Sequence, residues 1–296
     1  MTRRPIVFSP AYAFAWPGHI FPTGKYRKVA EALHERQLTE DFCDAIPATR
    51  DELLTCHLKS YLDRLQGIAR GELPEDARFE CPVTPEVLDA FALSAGGTIL
   101  AARLALEHGR AVNIGGGFHH AYPDHGEGFC LINDVVVAAR VLLEEGAVER
   151  VLVVDLDVHQ GNGTAVAAAE DDRLFTFSLH QENNYPAKEK SDFDVGLPDF
   201  ANDAVYLGAL DGALTRIARQ FSPDLIFYLA GADPYEQDRL GGLNVSLEGL
   251  AERDRMVFDF ASEQDARVVA VLAGGYATRE EDVVEIHVRM IEELLF

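Results

Sequence analysis

Cysteine is scarce in this 296-residue chain: Cys43, Cys56, Cys81 and Cys130 are widely spaced and form no CxxC pair. That excludes a disulfide framework and a thiolate metal site, and it fits a reducing, cytoplasmic compartment. Positive charge is short as well. Twenty-six Lys and Arg stand against 49 Asp and Glu, a formal net charge of −23. Such a surface repels phosphate backbones and anionic lipid, so no direct nucleic-acid or membrane binding is expected. It either attracts cationic partners, such as lysine side chains or polyamines, or is a solvated coat with no role in recognition. No apolar run approaches the roughly 20 residues that cross a bilayer. Arg3 and Arg4 lead into Ile6-Val7-Phe8, but Pro5, Pro10 and Pro17 interrupt any signal-peptide core. Repeats, low-complexity tracts and Gly/Ser linkers are also missing, so residues 1–296 read as one domain. What remains, 48% hydrophobic and 25% charged, is an ordinary globular composition.

The first 80 residues are loop-rich with short helical stretches, Lys25 to Arg36 and Glu52 to Leu65. Thr84-Pro85-Glu86 opens a long helix with a cap and a first-turn proline, and Gly109 closes it. Gly96-Gly97 inside that helix would each cost up to ~1 kcal/mol relative to alanine, which predicts close packing there. From Ala111 onward strands and helices alternate. Strand-like runs cover 111–114, 151–156, 174–179, 225–230 and 268–272, and helical patterns cover 133–145, 204–219, 247–261 and 280–295. Short, continuously apolar strands between amphipathic helices predict an α/β fold with a parallel sheet covered on both faces.

In such sheets ligands bind outside the carboxyl ends of the strands. Those positions here carry Gly115-Gly116-Gly117-Phe118-His119-His120, then Asp155-Leu156-Asp157-Val158-His159, Ser178-Leu179-His180, Gly231-Ala232-Asp233 and Gly274-Gly275-Tyr276. Glycines, carboxylates, imidazoles and a phenol converge on one rim. Asp157 and His159 alternate by two, so both side chains can reach one divalent ion, and Asp233 supplies a third ligand. The alternative is that the carboxylates only cap a turn ahead of the helix near Thr164. His119 and His120 read as acid–base groups, since an imidazole titrates near ~6.5, or as a plain surface or core pair. Tyr276 reads as a hydrogen-bond donor to a developing oxyanion, or as a packed aromatic in a loop.

The strings GGGFHHA (115–121), GFCLIND (128–134), VVDLDVHQGNGT (153–164), FSLH (177–180), AGADPYEQDRLGGL (230–243) and AGGY (273–276) together resemble the zinc-dependent histone deacetylase superfamily. That superfamily also includes acetoin-utilisation proteins and acetylpolyamine amidohydrolases. The resemblance runs over residues 19–296 with the motifs in order. HQGNG in place of HHGDG, the GHIFPTGKY segment (18–26) and DRLGGL (238–243) are most similar to its class IV branch.

The resemblance implies an arginase/deacetylase fold with a mainly parallel sheet of about eight strands and helices on both faces. It implies one zinc (or ferrous) ion per chain on Asp157, His159 and Asp233, and a structural potassium or sodium on Asp155, Asp157, His159, Ser178 and Leu179. His120 would be the general base and acid, His119 an electrostatic partner held by Asp155, and Tyr276 the oxyanion donor. Gly128 and Phe129 would line the channel. Asn162 stands where many members carry an aspartate against the second histidine, and the lost charge should lower the His120 pKa. Gln160 likewise replaces a histidine. Gly161 and Tyr235 occupy positions where a two-manganese ureohydrolase needs carboxylates, which disfavours that chemistry. The implied activity is removal of an acetyl or longer acyl group from N-acyl-lysine in proteins or peptides, or else from an acylated polyamine. A non-catalytic acyl-lysine-binding module would have lost His120 or Tyr276. Loop 181–200 is expected to set channel width, His57 to be a structural histidine, Cys130 a packed one, and His19 and Tyr12 to border the pocket mouth.

Overall fold

The computed structural model describes residues 5–14, 16 and 18–296; Arg3, Arg4 and Pro17 lie outside these. Eight strands form one all-parallel sheet: β1 Ile6–Phe8, β2 Cys43–Asp44, β3 Arg110–Asn113, β4 Val151–Asp155, β5 Leu174–Gln181, β6 Phe193–Leu197, β7 Leu225–Leu229 and β8 Arg267–Val271. Their order is β2-β1-β3-β8-β7-β4-β5-β6. The central strands are buried at every position of β4 and β7, which is why they read as unbroken apolar runs.

One group of helices, α4 Pro85–His108, α5 Asp134–Glu144 and α6 Asn162–Ala168, packs mutually and onto β3, β8 and β5. Another, α1 Lys25–Glu35, α7 Asp203–Ala218, α8 Leu247–Glu263 and α9 Glu280–Leu295, also packs mutually, with α9 on β3 and α8 on β8. The predicted Thr84 cap holds, accepting from the Val87 N–H, and the structure adds Asn133, Asn202 and Ser246, which accept from Val136, Val205 and Gly249 at the starts of α5, α7 and α8. The Gly96-Gly97 expectation is also met. A side chain at Gly96 would strike the Ile46 carbonyl, and one at Gly97 would strike the Tyr12 hydroxyl.

Three readings need correction. The strands β1, β2 and β6 were not expected. β1 and β2 have only three and two residues, too few to show a pattern. β6 lies inside the stretch read as a channel loop and is held by Phe193 stacked on Phe177 (5.5 Å). The single helix over 52–65 is two, α2 Arg50–Leu54 and α3 Lys59–Ala69. The break lies where His57 and Leu58 turn to bond Tyr122, Asn133 and Pro123. Finally, α4 is long and apolar enough to cross a bilayer. Its four charged residues are spread thinly enough to keep mean hydropathy high, and most of its length is buried against the sheet and α5.

Candidate active site

Four adjacent strands, β3, β8, β7 and β4, deliver the site at their carboxyl ends. After β3, Gly116 and Gly117 take φ of +74° and +85°, a region closed to most side chains. A Cβ on Gly117 would lie 2.7 Å from the Ala273 Cα, so the loops after β3 and β8 interlock. Asp134 then fixes the turn. Its Oδ1 accepts from the Gly117 and Phe118 N–H groups (3.0 and 2.9 Å) and its Oδ2 from the Thr98 hydroxyl (2.6 Å). This turn presents His119 and His120 to the loop after β4.

Asp157, His159 and Asp233 converge as the sequence predicts, with ligand atoms all within 4.8 Å of one another; among the described residues this is the one such group. His159 Nδ1 lies 3.0 Å from Asp157 Oδ1 and 3.4 Å from Asp233 Oδ2. Asp233 Oδ2 is buried with no hydrogen-bond partner. A Cβ at Gly274 would collide with that oxygen and lie 2.6 Å from Asp157 Oδ2, and one at Gly231 would lie 2.7 Å from the latter. The two glycines therefore keep side chains out of the space between the carboxylates. Charge agrees. Burial and the Asp157 carboxylate push Asp233 up to about 7. Burial opposes charge on His159, but the Asp157 and Asp233 carboxylates beside it carry it up to about 10. Two carboxylates and an imidazole, one oxygen unpartnered, fit a divalent ion held by three protein ligands with a position left open, the arrangement of catalytic zinc.

The adjacent histidines have opposite surroundings. His119 Nδ1–H donates to Asp155 Oδ2 (2.7 Å). Burial disfavours its charge, yet Asp155 and Asp157 raise its pKa to about 9. His120 Nδ1–H donates to Asn162 Oδ1 (2.7 Å), and its Nε2 lies 3.1 Å from His119 Nε2. Burial and the neighbouring His119 and His159 hold its pKa well below 6.5, against the smaller upward pull of its bond to Asn162. Tyr276 is raised well above 10 by burial and by Asp157 and Asp233, so its hydroxyl keeps its proton.

These groups open onto one cavity of about 200 Å³, walled by Phe21, Gly128, Phe129, Tyr185 and Leu240 among others. Phe129 holds φ +68°, a strained conformation for a bulky residue; its N–H donates to the Phe79 carbonyl. Sequence reasoning placed Gly128 and Phe129 here but missed Tyr185, Glu80 and Lys25. Tyr185 stands edge-on to His120 (5.3 Å), and no local pattern marks it. Lys25 is fully buried, with Nζ donating to the Ala273 carbonyl (2.5 Å); burial draws its pKa down to about 8 against the attraction of Asp233, Asp157 and Asp238. The charged residue in the apolar face of α1 was its only signal. His19 borders the rim, edge-on to Phe129. Tyr12 does not: it is buried beneath the rim, its hydroxyl on Asn113, because Gly97 leaves room for it there. His57 is structural, as expected, and Cys130, although buried, also lines the cavity. Ser178 pairs with Asp155 across β4 and β5, and Leu179 follows it; the Ser178 hydroxyl is 2.9 Å from His180 Nδ1.

A model of the histone deacetylase domain matches residues 19–291. An uncharacterized protein of Picosynechococcus sp. is 39% identical over 96% of this chain and 95% of its own length. Histone deacetylase 2 of Arabidopsis thaliana is 34% identical over 93% of this chain and 75% of its own. Among solved structures, an HDAC homologue complexed with SAHA is similar with a TM-score of 0.86 at 25% identity, over 99% of this chain and 84% of that one.

Proposed function

The chain belongs to the histone deacetylase family and is a deacetylase hydrolase, and from that premise we propose that it removes acyl groups from the side-chain amine of N-acyl-lysine in peptides or proteins, using zinc. The observation that carries this reading is the meeting of Asp157, His159, His119, His120 and Tyr276 at one cavity, with Asp233 grouped against the first two.

Zinc held by Asp157, His159 and Asp233 would supply Lewis-acid polarisation and an acidified water. The protein's own groups do the rest. The Nε2 of His120, unprotonated because Nδ1 bears the proton that it donates to Asn162, takes a proton from the attacking water as its oxygen bonds the acyl carbon. It returns that proton to the amine as the C–N bond breaks. His119, kept charged by Asp155, stabilises the anionic intermediate. The Tyr276 hydroxyl donates to the oxyanion. Phe129 and Gly128 wall the passage for the aliphatic stem. Asp155, Asp157, His159, Ser178 and Leu179 are proposed to hold a potassium or sodium ion that stiffens the same loop.

An acylated polyamine is the second reading. Glu80 lines the cavity and is exposed; burial and the nearby Glu127 charge raise its pKa. A carboxylate at the cavity's exposed edge suits a substrate with a distal ammonium. The test is a panel of acetyl-, butyryl-, octanoyl- and myristoyl-lysine peptides beside acetylputrescine, each with chelator, and with zinc or ferrous iron restored. Hydrolysis of a lysine peptide that chelation abolishes and metal restores is expected. Hydrolysis surviving full metal removal would sink the mechanism, and a strong preference for acetylputrescine would install the second reading.

A further inference from the structure

We propose that Glu127 is a positioning residue for the reaction, fixing the tautomer of His120 through Asn162. The inference rests on the role given to His120 above. Asn162 is fully buried, and its amide would fit its pocket with oxygen and nitrogen exchanged; only its partners decide the orientation. Its Nδ2 donates to Glu127 Oε1 (3.0 Å) and to the Tyr122 hydroxyl (2.9 Å), while its Oδ1 accepts from His120 Nδ1 and from the Gly163 N–H (3.0 Å). A hydroxyl serves either orientation, so Tyr122 has no say. A carboxylate only accepts, and a backbone N–H only donates. Glu127 and Gly163 therefore clamp the amide from opposite ends, with its oxygen toward His120. The histidine must then carry its proton on Nδ1 and leave Nε2 bare.

Glu127 does more than hold the amide. The same Oε1 accepts from the Tyr185 hydroxyl (3.0 Å), and that ring leans edge-on against His120. One carboxylate thus orients both the hydrogen-bond partner and the packing partner of a single imidazole. Its negative charge, relayed by a polarised amide, also favours the imidazolium that forms when His120 takes a proton. The chain has no carboxylate directly against His120 Nδ1; Glu127 supplies one at a single remove. Of the two clamps, Gly163 is backbone and cannot be removed by substitution, so Glu127 is the one open to test.

The experiment compares zinc-loaded wild type, Glu127→Leu and the isosteric Glu127→Gln. It reads kcat and KM on an acetyl-lysine peptide, zinc content, and the His120 tautomer by long-range ¹H–¹⁵N NMR without substrate. Glu127→Leu should lower kcat about tenfold with KM within about twofold, retain zinc, and lose the pure Nδ1–H signature. Glu127→Gln, whose amide oxygen can still accept from Asn162, should recover most of the kcat and the tautomer. Tyr185→Phe should leave the tautomer intact, which separates the amide clamp from the channel wall. An unchanged tautomer in Glu127→Leu overturns the proposal, as does a loss confined to KM, which would make Glu127 a substrate contact. Failure of the functional reading looks different: His120→Ala would then keep its activity whatever Glu127 does.

Discussion

Tyr276→Phe isolates one atom of the site. The backbone on either side of the ring is tethered, its N–H donating to Asp238 Oδ2 (2.6 Å) and its carbonyl accepting from Arg239 Nε (2.8 Å). The ring itself is held edge-on by Phe21, Phe129 and His159 at 6.0, 6.4 and 6.5 Å. A phenylalanine inherits all of these contacts, so the substitution removes a hydroxyl and moves nothing else. That hydroxyl stays protonated across the working range, because burial and two carboxylates hold its pKa well above 10. A preorganised donor in a dry site is worth about 3–4 kcal/mol to an oxyanion transition state, or roughly 10²- to 10³-fold in kcat. Steady-state kinetics on an acetyl-lysine peptide should show that fall in kcat with little change in KM, and zinc content should match wild type. The hydroxyl is not a metal ligand here, so zinc loss in the variant would contradict the geometry. Retention of more than about a third of kcat would refute the oxyanion role.

Two other predictions concern the scaffold. His57 is buried with Nδ1 on the Tyr122 carbonyl and Nε2 accepting from the Asn133 N–H; burial pulls its pKa from 6.5 down to about 4. The unfolded chain therefore binds that proton first, and about 3 kcal/mol of stability should drain away as pH falls from 6.5 to 4. Urea midpoints across that range should flatten in His57→Gln. Arg253, fully buried, donates to Asp254 Oδ1 and to the Gly231 carbonyl two residues before Asp233. Arg253→Met should cost about 3–5 kcal/mol in urea unfolding by stranding the Asp254 charge, and Arg253→Met with Asp254→Leu should recover much of it; a single-variant cost below about 1 kcal/mol would remove the pair from the account.

How much of this was legible in the sequence follows from how each feature is encoded. Strands β3, β4, β5, β7 and β8 announce themselves because burial on both faces leaves apolar runs, and the rim residues stand where those runs stop. The triad was readable for the same reason: Asp157 and His159 sit two apart just after β4, and Asp233 lies in the short Ala230-Gly231-Ala232-Asp233 turn that leaves β7. Edge strands β1 and β2 are too short for periodicity to register. Tyr185 and Glu127 are polar residues in loops, and nothing local distinguishes them from solvated ones; their meaning comes from a partner 58 residues away in the one pair and 35 in the other. Tyr12 was misplaced at the mouth because a loop tyrosine is assumed to face water, whereas Gly97 of α4 leaves a berth for its hydroxyl.

The histidine pair shows where local reading must give way to three dimensions. His119 and His120 are chemically identical neighbours, and sequence assigns both the same unperturbed titration. Their separation arises from what stands behind each ring: a carboxylate on β4 for one, an amide at the start of α6 for the other. Environments that drive two like groups apart assign the charged and the neutral role between them. Exchanging the partners is therefore the decisive manipulation. Asn162→Asp should raise the His120 pKa and weaken it as a neutral base. The acidic limb of the kcat/KM–pH profile should then move to higher pH, since more alkaline conditions are needed to bare Nε2. An unmoved limb would mean that the group titrating in catalysis is not His120, and the assignment of base between the two imidazoles would have to be reversed.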